Sequence, residues 1–224
     1  MRIIVLFSVI VCLFSCVKTD NCKSTSNEIF KNIEIIYKNP DVVNSELLNK
    51  QDSLIDLISY DCKYLTYIID IKYSLGIMYK RYDQSISYLS AVPDTCFSRK
   101  FDKRLRIDIL YLNKLFDSNE MDKLILVRES LISYLEPYRM GQDSLFISST
   151  IEGVNAITLS PQEINKRIHY IENNKHLFFG ENFLVFTTIL SKIRKEKLRV
   201  INKNNPQKPI IKVKEGLDNE YIKN

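Results

Sequence analysis

Apolar side chains recur along this chain at intervals of three and four residues, and no stretch sustains the alternation expected of a half-buried strand. A period near 3.6 gathers such residues on one face of a helix, whereas a period of two would gather them on one face of a sheet. Ile29, Ile33 and Ile36 mark a first helix near residues 27–38, stopped by Asn39-Pro40. Leu47, Leu48, Leu54, Ile55 and Ile58 mark a second near 44–59, and Leu65, Ile68, Ile69, Leu75 and Tyr79 a third near 62–79. A fourth runs from Tyr82 to Ala91 and stops before Pro93. Phe101, Leu105, Ile109, Leu112 and Phe116 form one apolar stripe. Leu124, Val127, Leu131 and Leu135 form the next, ended by Pro137.

Residues 143–155 carry a weaker helical signal, diluted by Ser148-Ser149-Thr150 and Gly153. Ser160-Pro161-Gln162-Glu163 then supplies an N-cap, a first-turn proline and a glutamate placed for a capping box, which opens a helix to about Asn173. A last helix begins near Glu181 with Phe183, Phe186, Leu190 and Ile193 on one face. Short turns between eight or nine helices imply antiparallel hairpins, so the expected class is all-α. The glycine content agrees. Five glycines in 224 residues is about a third of average usage, too few for a glycine-rich phosphate turn or the many turns of a β-sandwich.

The amino terminus carries a different kind of signal. Arg2 precedes an apolar run from Ile3 to Phe14 that only Ser8 interrupts. Twelve helical residues cover roughly 18 Å, short of a ~30 Å hydrocarbon core, so the run fits the apolar region of a signal peptide rather than a span. It ends in Leu13-Phe14-Ser15-Cys16, which resembles the lipobox of bacterial lipoproteins, with Phe14 bulkier than the residue usual in that slot. The resemblance implies cleavage before Cys16, acylation of its thiol and, usually, of the new amino terminus. The protein would then be tethered to a bilayer through acylated Cys16, in the cell envelope. Val17 is not the Asp that resembles an inner-membrane retention signal, which favours the outer membrane, on a face the sequence does not specify.

On this division residues 1–15 are the signal peptide, 16–26 a polar tether, 27–202 the helical domain and 203–224 a flexible basic tail. Loss of Arg2 lowers the formal net charge from +5 to +4. Four cysteines remain: Cys16, which the lipobox consumes, Cys22, Cys62 and Cys96. Three thiols in an oxidising compartment cannot all pair within one chain. Cys62 and Cys96 each open a predicted helix, so a bridge between those two is one arrangement, with buried unpaired thiols the other.

Residues 72–93 resemble a tetratricopeptide repeat, in Leu75-Gly76 and Tyr79 of a first helix, Tyr82-Asp83-Gln84-Ser85-Ile86 and Leu89 of a second, and the terminating Pro93. The resemblance implies that Gly76 lets the two helices approach and that Ser85 keeps the facing side small. Lys72 departs from the pattern, standing where the family has a large aromatic, and Lys80-Arg81 replaces the usual glycine turn. The spacing from Tyr79 to Ser85 is short, which leaves open two helices or one bent helix over 62–91. A fainter echo covers 112–137 in Leu115, Met121, Leu124 and Pro137. The expected architecture is a tetratricopeptide-like array of hairpins, with an irregular helical bundle as the alternative.

The residues carry little sign of chemistry. His169, Glu172 and His176 bring both histidines near a carboxylate, but the histidines lie about 10 Å apart along a helix and one zinc ion cannot take both. Cys62 and Cys96 lie in no nucleophile context, and Asp52 and Asp56 on one helix face are ordinary surface. There is no G-x-S-x-G, H-E-x-x-H or phosphate loop, so no catalytic, cofactor or metal site is assigned.

Tyrosine is the unusual abundance: seven fall between Tyr60 and Tyr88. Tyr60, Tyr64 and Tyr67 share a face if the third helix reaches back that far. They either wedge between helices or line a partner-binding groove, since tyrosine combines apolar area with a polar tip. On the groove account Tyr64 and Tyr67 are anchors, and Arg99, Lys103 and Arg106 pair with carboxylates of the partner. Lys192, Lys195 and Arg199 share a face of the last helix, where they either complement the helix dipole or meet anionic lipid or an acidic partner. The expected function is a membrane-tethered, non-enzymatic adapter or scaffold that binds an unknown envelope protein. A lipid-anchored immunity or inhibitor protein and an enzyme with an unrecognised site are the alternatives. Nucleic acid is not expected as a partner.

Overall fold

A computed structural model describes residues 22–39, 43–178 and 182–204. The protein is all-α, and among these residues there is no strand. Helix α1 covers 22–38. It is followed by α2 (Ser45–Asp56), α3 (Leu65–Met78), α4 (Tyr82–Ala91), α5 (Asp102–Asp117), α6 (Met121–Leu135), α7 (Ser144–Ala156), α8 (Pro161–Asn173) and α9 (Asn182–Asn204). Two compact units divide between Val127 and Arg128, within α6.

Helix starts follow local chemistry. The Asn44 side chain accepts from the Leu47 N–H at 2.9 Å to open α2. Ser160 and Glu163 complete the expected capping box at α8: Ser160 Oγ accepts from the Glu163 N–H at 3.2 Å, and the Glu163 carboxylate accepts from the Ser160 N–H at 2.7 Å. Two turns use a left-handed residue without glycine: Lys80 (φ 56°) between α3 and α4, and Asn119 (φ 58°) between α5 and α6. Lys80 settles the ambiguity over 62–91, which forms two helices.

The core of the first unit gathers Ile29, Ile33 and Ile36 of α1, Leu48 and Ile55 of α2, Leu65, Ile68, Ile69 and Leu75 of α3, Ile86 and Leu89 of α4 and Leu110 of α5. In the second unit Ile164, Ile168 and Ile171 of α8 meet Leu190 of α9, with Phe183, Phe186 and Ile193 packed against them. Arg167 on α8 grips Glu152 on α7 with two nitrogens, at 2.6 and 3.1 Å.

Several expectations need correction. Helix α1 already includes Cys22, so 22–26 is helical, and Ser26 is fully buried; residues 16–21 of the expected tether, with the expected lipidation site Cys16, lie outside the described residues. Of the α5 stripe, Phe101, Leu105 and Leu112 are buried, but Ile109 and Phe116 are only half-buried, and Leu110 and Leu115 take their places. The α5 face must meet both α3 and α4, which widens the buried arc beyond one stripe. Tyr60 belongs to the connection between α2 and α3, Tyr64 caps α3 and only Tyr67 lies within that helix, so the three share no continuous helical face. Helix α9 extends to Asn204; the remaining tail, 205–224, lies outside the described residues.

The disulfide differs as well. Cys62 bonds to Cys22, with a Cα–Cα distance of 5.8 Å, and Cys96 is a free, half-buried thiol. Extension of α1 to residue 22 is what brings that cysteine against the α2–α3 connection. Cys96 lies in the short turn Asp94–Cys96 before α5, its Sγ 4.0 Å from the Tyr60 carbonyl.

Candidate functional site

Helices α3, α4 and α5 form the most closely specified part of the first unit. A Cβ built on Gly76 would lie 2.5 Å from Ser85 Oγ, 2.8 Å from Ser85 Cβ and 2.9 Å from Leu110 Cδ2, so the two facing positions admit no extra carbon. Ser85 Oγ donates to the Lys72 carbonyl at 3.0 Å, which satisfies the hydroxyl inside that contact. Gly76 and Ser85 therefore do what their sizes imply. They bring α4 onto α3, while α5 packs on both.

Lys72 is almost wholly buried, and its ammonium lies 2.5 Å from Asp52 on α2. The other Asp52 oxygen is 3.0 Å from the Arg81 guanidinium, which also donates to Asn49 Oδ1 at 2.7 Å. A buried cation is tolerable only with such a counter-charge, and the Tyr88 ring adds a face 5.7 Å from the ammonium. The lysine thus packs its stem in the core and turns its charge to α2. Asp52 is turned to this network and forms no surface pair with Asp56.

The three predicted partner-binding cations already have carboxylates within the chain. Arg99 is 2.9 Å from Asp102 and stacks on Phe101, its guanidinium 4.9 Å from the ring centre. Lys103 is 2.9 Å from Asp94 and donates to the Val92 carbonyl at 2.7 Å. Arg106 reaches across from α5 to Asp70 on α3 at 2.6 Å, with Asp102 at 3.6 Å. Together they tie the α4–α5 connection and the start of α5 to their neighbours. Burial pushes the Tyr73 phenol up to about 12; nearby Arg106 opposes the shift and Asp70 adds to it. Tyr82 is also pushed up, by burial first and then by the hydrogen bond its hydroxyl donates to Asp117 at 2.6 Å.

The two predicted tyrosine anchors separate. Tyr64 is half-buried, edge-on to Phe30 of α1 with ring centres 5.8 Å apart, and packs against the core. Tyr67 is 65% exposed on α3. Met78 on α3 and Tyr111 on α5 are exposed too. The Arg106–Asp70 pair ties α3 to α5, and each of the two helices carries exposed apolar or aromatic side chains.

On α9, Lys192, Lys195 and Arg199 are all exposed. Neighbouring basic residues turn inward instead: Lys197 donates to the Ile157 carbonyl at 2.6 Å, and Arg194 donates to Asn165 Oδ1. Burial draws the Lys197 ammonium below the usual lysine range. His169 Nδ1 lies 3.3 Å from Glu172, while His176 falls beyond the end of α8, in the turn Lys175–Leu177. No three metal-ligating side chains converge among the described residues. None of the described helices is long and apolar enough to cross a membrane. No protein-family model, no curated protein and no solved structure matches this chain.

Proposed function

We propose that the chain is a lipid-anchored adapter or scaffold of the bacterial cell envelope, more at home in the outer membrane, whose helices form a tetratricopeptide-like array that binds another protein without chemistry. The observation that carries this is the Cys22–Cys62 disulfide six residues beyond Cys16. Disulfides persist in oxidising compartments, and the lipobox-like Leu13-Phe14-Ser15-Cys16 sends a chain there. The repeat-like arrangement is supported by the Gly76–Ser85 contact and by α5 packing on both α3 and α4, as the first helix of a following hairpin would. Partner binding is supported by exposed Tyr67, Met78 and Tyr111, the residue types that anchor interfaces.

The test joins two measurements in intact cells. Cys16→Ser should abolish incorporation of a labelled fatty acid and release the protein from membranes; retention of label refutes the anchor. A photo-reactive side chain at Tyr67 or Tyr111 should capture one protein that the same group at Leu177 does not; equal capture from all three positions refutes the α3–α5 surface. Tyr67→Ala should weaken capture and leave the melting temperature within a few degrees, whereas Tyr64→Ala should lower it, because only Tyr64 packs on Phe30.

A further inference from the structure

The disulfide determines which end of the first unit stands nearest the lipid anchor. It joins Cys22, in the first turn of the described α1, to the connection 57–64 between α2 and α3. Consecutive helices reverse direction, so the α4–α5 connection comes to the same end, where Cys96 Sγ meets the Tyr60 carbonyl. The opposite end collects the other turns: Lys80 is 2.9 Å from Asp117, and Tyr82 donates to that same carboxylate.

Covalent geometry limits what the anchor allows. Cys22 stands six positions after Cys16, so the two Cα atoms can be no more than about 22 Å apart. Helix α1, over 22–38, is about 25 Å long. A tether shorter than the helix cannot hold the unit with Cys22 directed away from the bilayer and the opposite end resting on it. The end that carries Cys22 and Cys62 therefore stays within about 22 Å of an anchored Cys16.

That end is dressed for such a place. Leu57 is 74% exposed and Tyr60 is 47% exposed, both on the connection that the disulfide holds; Lys23 and Lys63 are exposed beside the two bridged cysteines, Lys63 with its ammonium 4.9 Å from the Tyr64 ring centre, and Asp56 and Asp61 are the exposed acids of the same stretch. An aliphatic side chain, a tyrosine and lysines are the residues that settle at a bilayer interface: the first enters the acyl boundary, the second sits at head-group level, and the third meets lipid phosphate.

We propose that the α2–α3 connection is a membrane-seating surface, with Leu57 and Tyr60 inserted among the lipid head groups and Lys23 and Lys63 on their phosphates. The proposal rests on the lipid-anchor reading and adds an orientation to it. The α3–α5 surface then projects from the bilayer with the Met78 end outermost.

The chain has no tryptophan, so one introduced tryptophan is an unambiguous probe. Leu57→Trp, Tyr60→Trp and Met78→Trp all fall at exposed positions. Each full-length protein is purified with its lipid, reconstituted into phosphatidylethanolamine–phosphatidylglycerol vesicles and compared with vesicles whose acyl chains are brominated. The expected result is emission that is blue-shifted and quenched by bromine at Leu57→Trp or Tyr60→Trp and unchanged at Met78→Trp. Proteins that float with the vesicles yet show no greater quenching at positions 57 and 60 than at 78 overturn the proposal while the anchor stands. A protein that carries no acyl group and does not float overturns both.

Discussion

Gly76→Ala tests the close approach of α3 and α4. The added carbon would sit 2.8 Å from Ser85 Cβ, whereas non-bonded carbons settle at about 3.5–4.0 Å. Leu110 Cδ2, at 2.9 Å, is the end of a flexible side chain and can turn aside, but Ser85 Cβ is fixed to the α4 backbone. The helices must part by roughly 0.7–1.2 Å, an overpacking that costs about 1–3 kcal/mol. Alanine returns about 0.5–1 kcal/mol as the better helix former. The balance is a net loss of roughly 0.5–2 kcal/mol, and each kcal/mol lowers the melting temperature of a unit this size by about 4–8 °C.

Gly76→Leu, with a bulkier side chain at the same contact, should fall further. Thermal and urea unfolding followed by far-UV circular dichroism read both. Ser85→Gly loses its hydrogen bond to the Lys72 carbonyl, so it is destabilising alone. Joined to Gly76→Ala it opens the space the new carbon needs, and the double variant should lose about 1 kcal/mol less than the sum of the singles. A Gly76→Ala protein as stable as the parent, with additive double-variant energies, would show that α3 and α4 do not meet here.

Three further outcomes follow from the same geometry. A bridge across 40 residues restricts the unfolded chain by about 4 kcal/mol, so Cys22→Ser should lower stability by that order, with Cys96→Ser near neutral; thiol titration of the denatured protein, if acylated at Cys16 as proposed, should find Cys96 alone. Asp52→Ala should cost about 3–5 kcal/mol because it strands buried Lys72, whereas Lys72→Met should cost less, since Arg81 still neutralises Asp52; equal losses in urea unfolding would contradict the network. Tyr73 ionises near 10 when unfolded and near 12 when folded, so its contribution is complete below pH 10 and lost as pH rises towards 12, by about 2–3 kcal/mol; absorbance at 295 nm and stability measured across that window should move together, and Tyr73→Phe should remove its share.

Sequence alone was enough for the helical class and for most helix ends. Pro93 and Pro137 stand just beyond α4 and α6, and the Ser160–Glu163 box opens α8 where its spacing places it. These features act within a turn or two of backbone, so neighbouring residues suffice to express them. Gly76 and Ser85 were legible too, because two small residues at repeat-like spacing imply a close approach whatever surrounds them.

Tertiary structure decided which faces meet. Periodicity says that Lys72 lies on a buried face but not that Asp52 of α2 waits there, 20 residues away in the chain. Likewise Cys22, in a stretch that looks like tether, is drawn into a helix and bonded to Cys62, while the better-placed Cys96 stays free. Arg99, Lys103 and Arg106 look available until Asp102, Asp94 and Asp70 arrive beside them, and Tyr64 parts from Tyr67 only because Phe30 comes to its edge. Helical spacing fixes the direction of a side chain around its own axis. The neighbour in that direction is supplied by a distant segment, and only packing the whole unit chooses it.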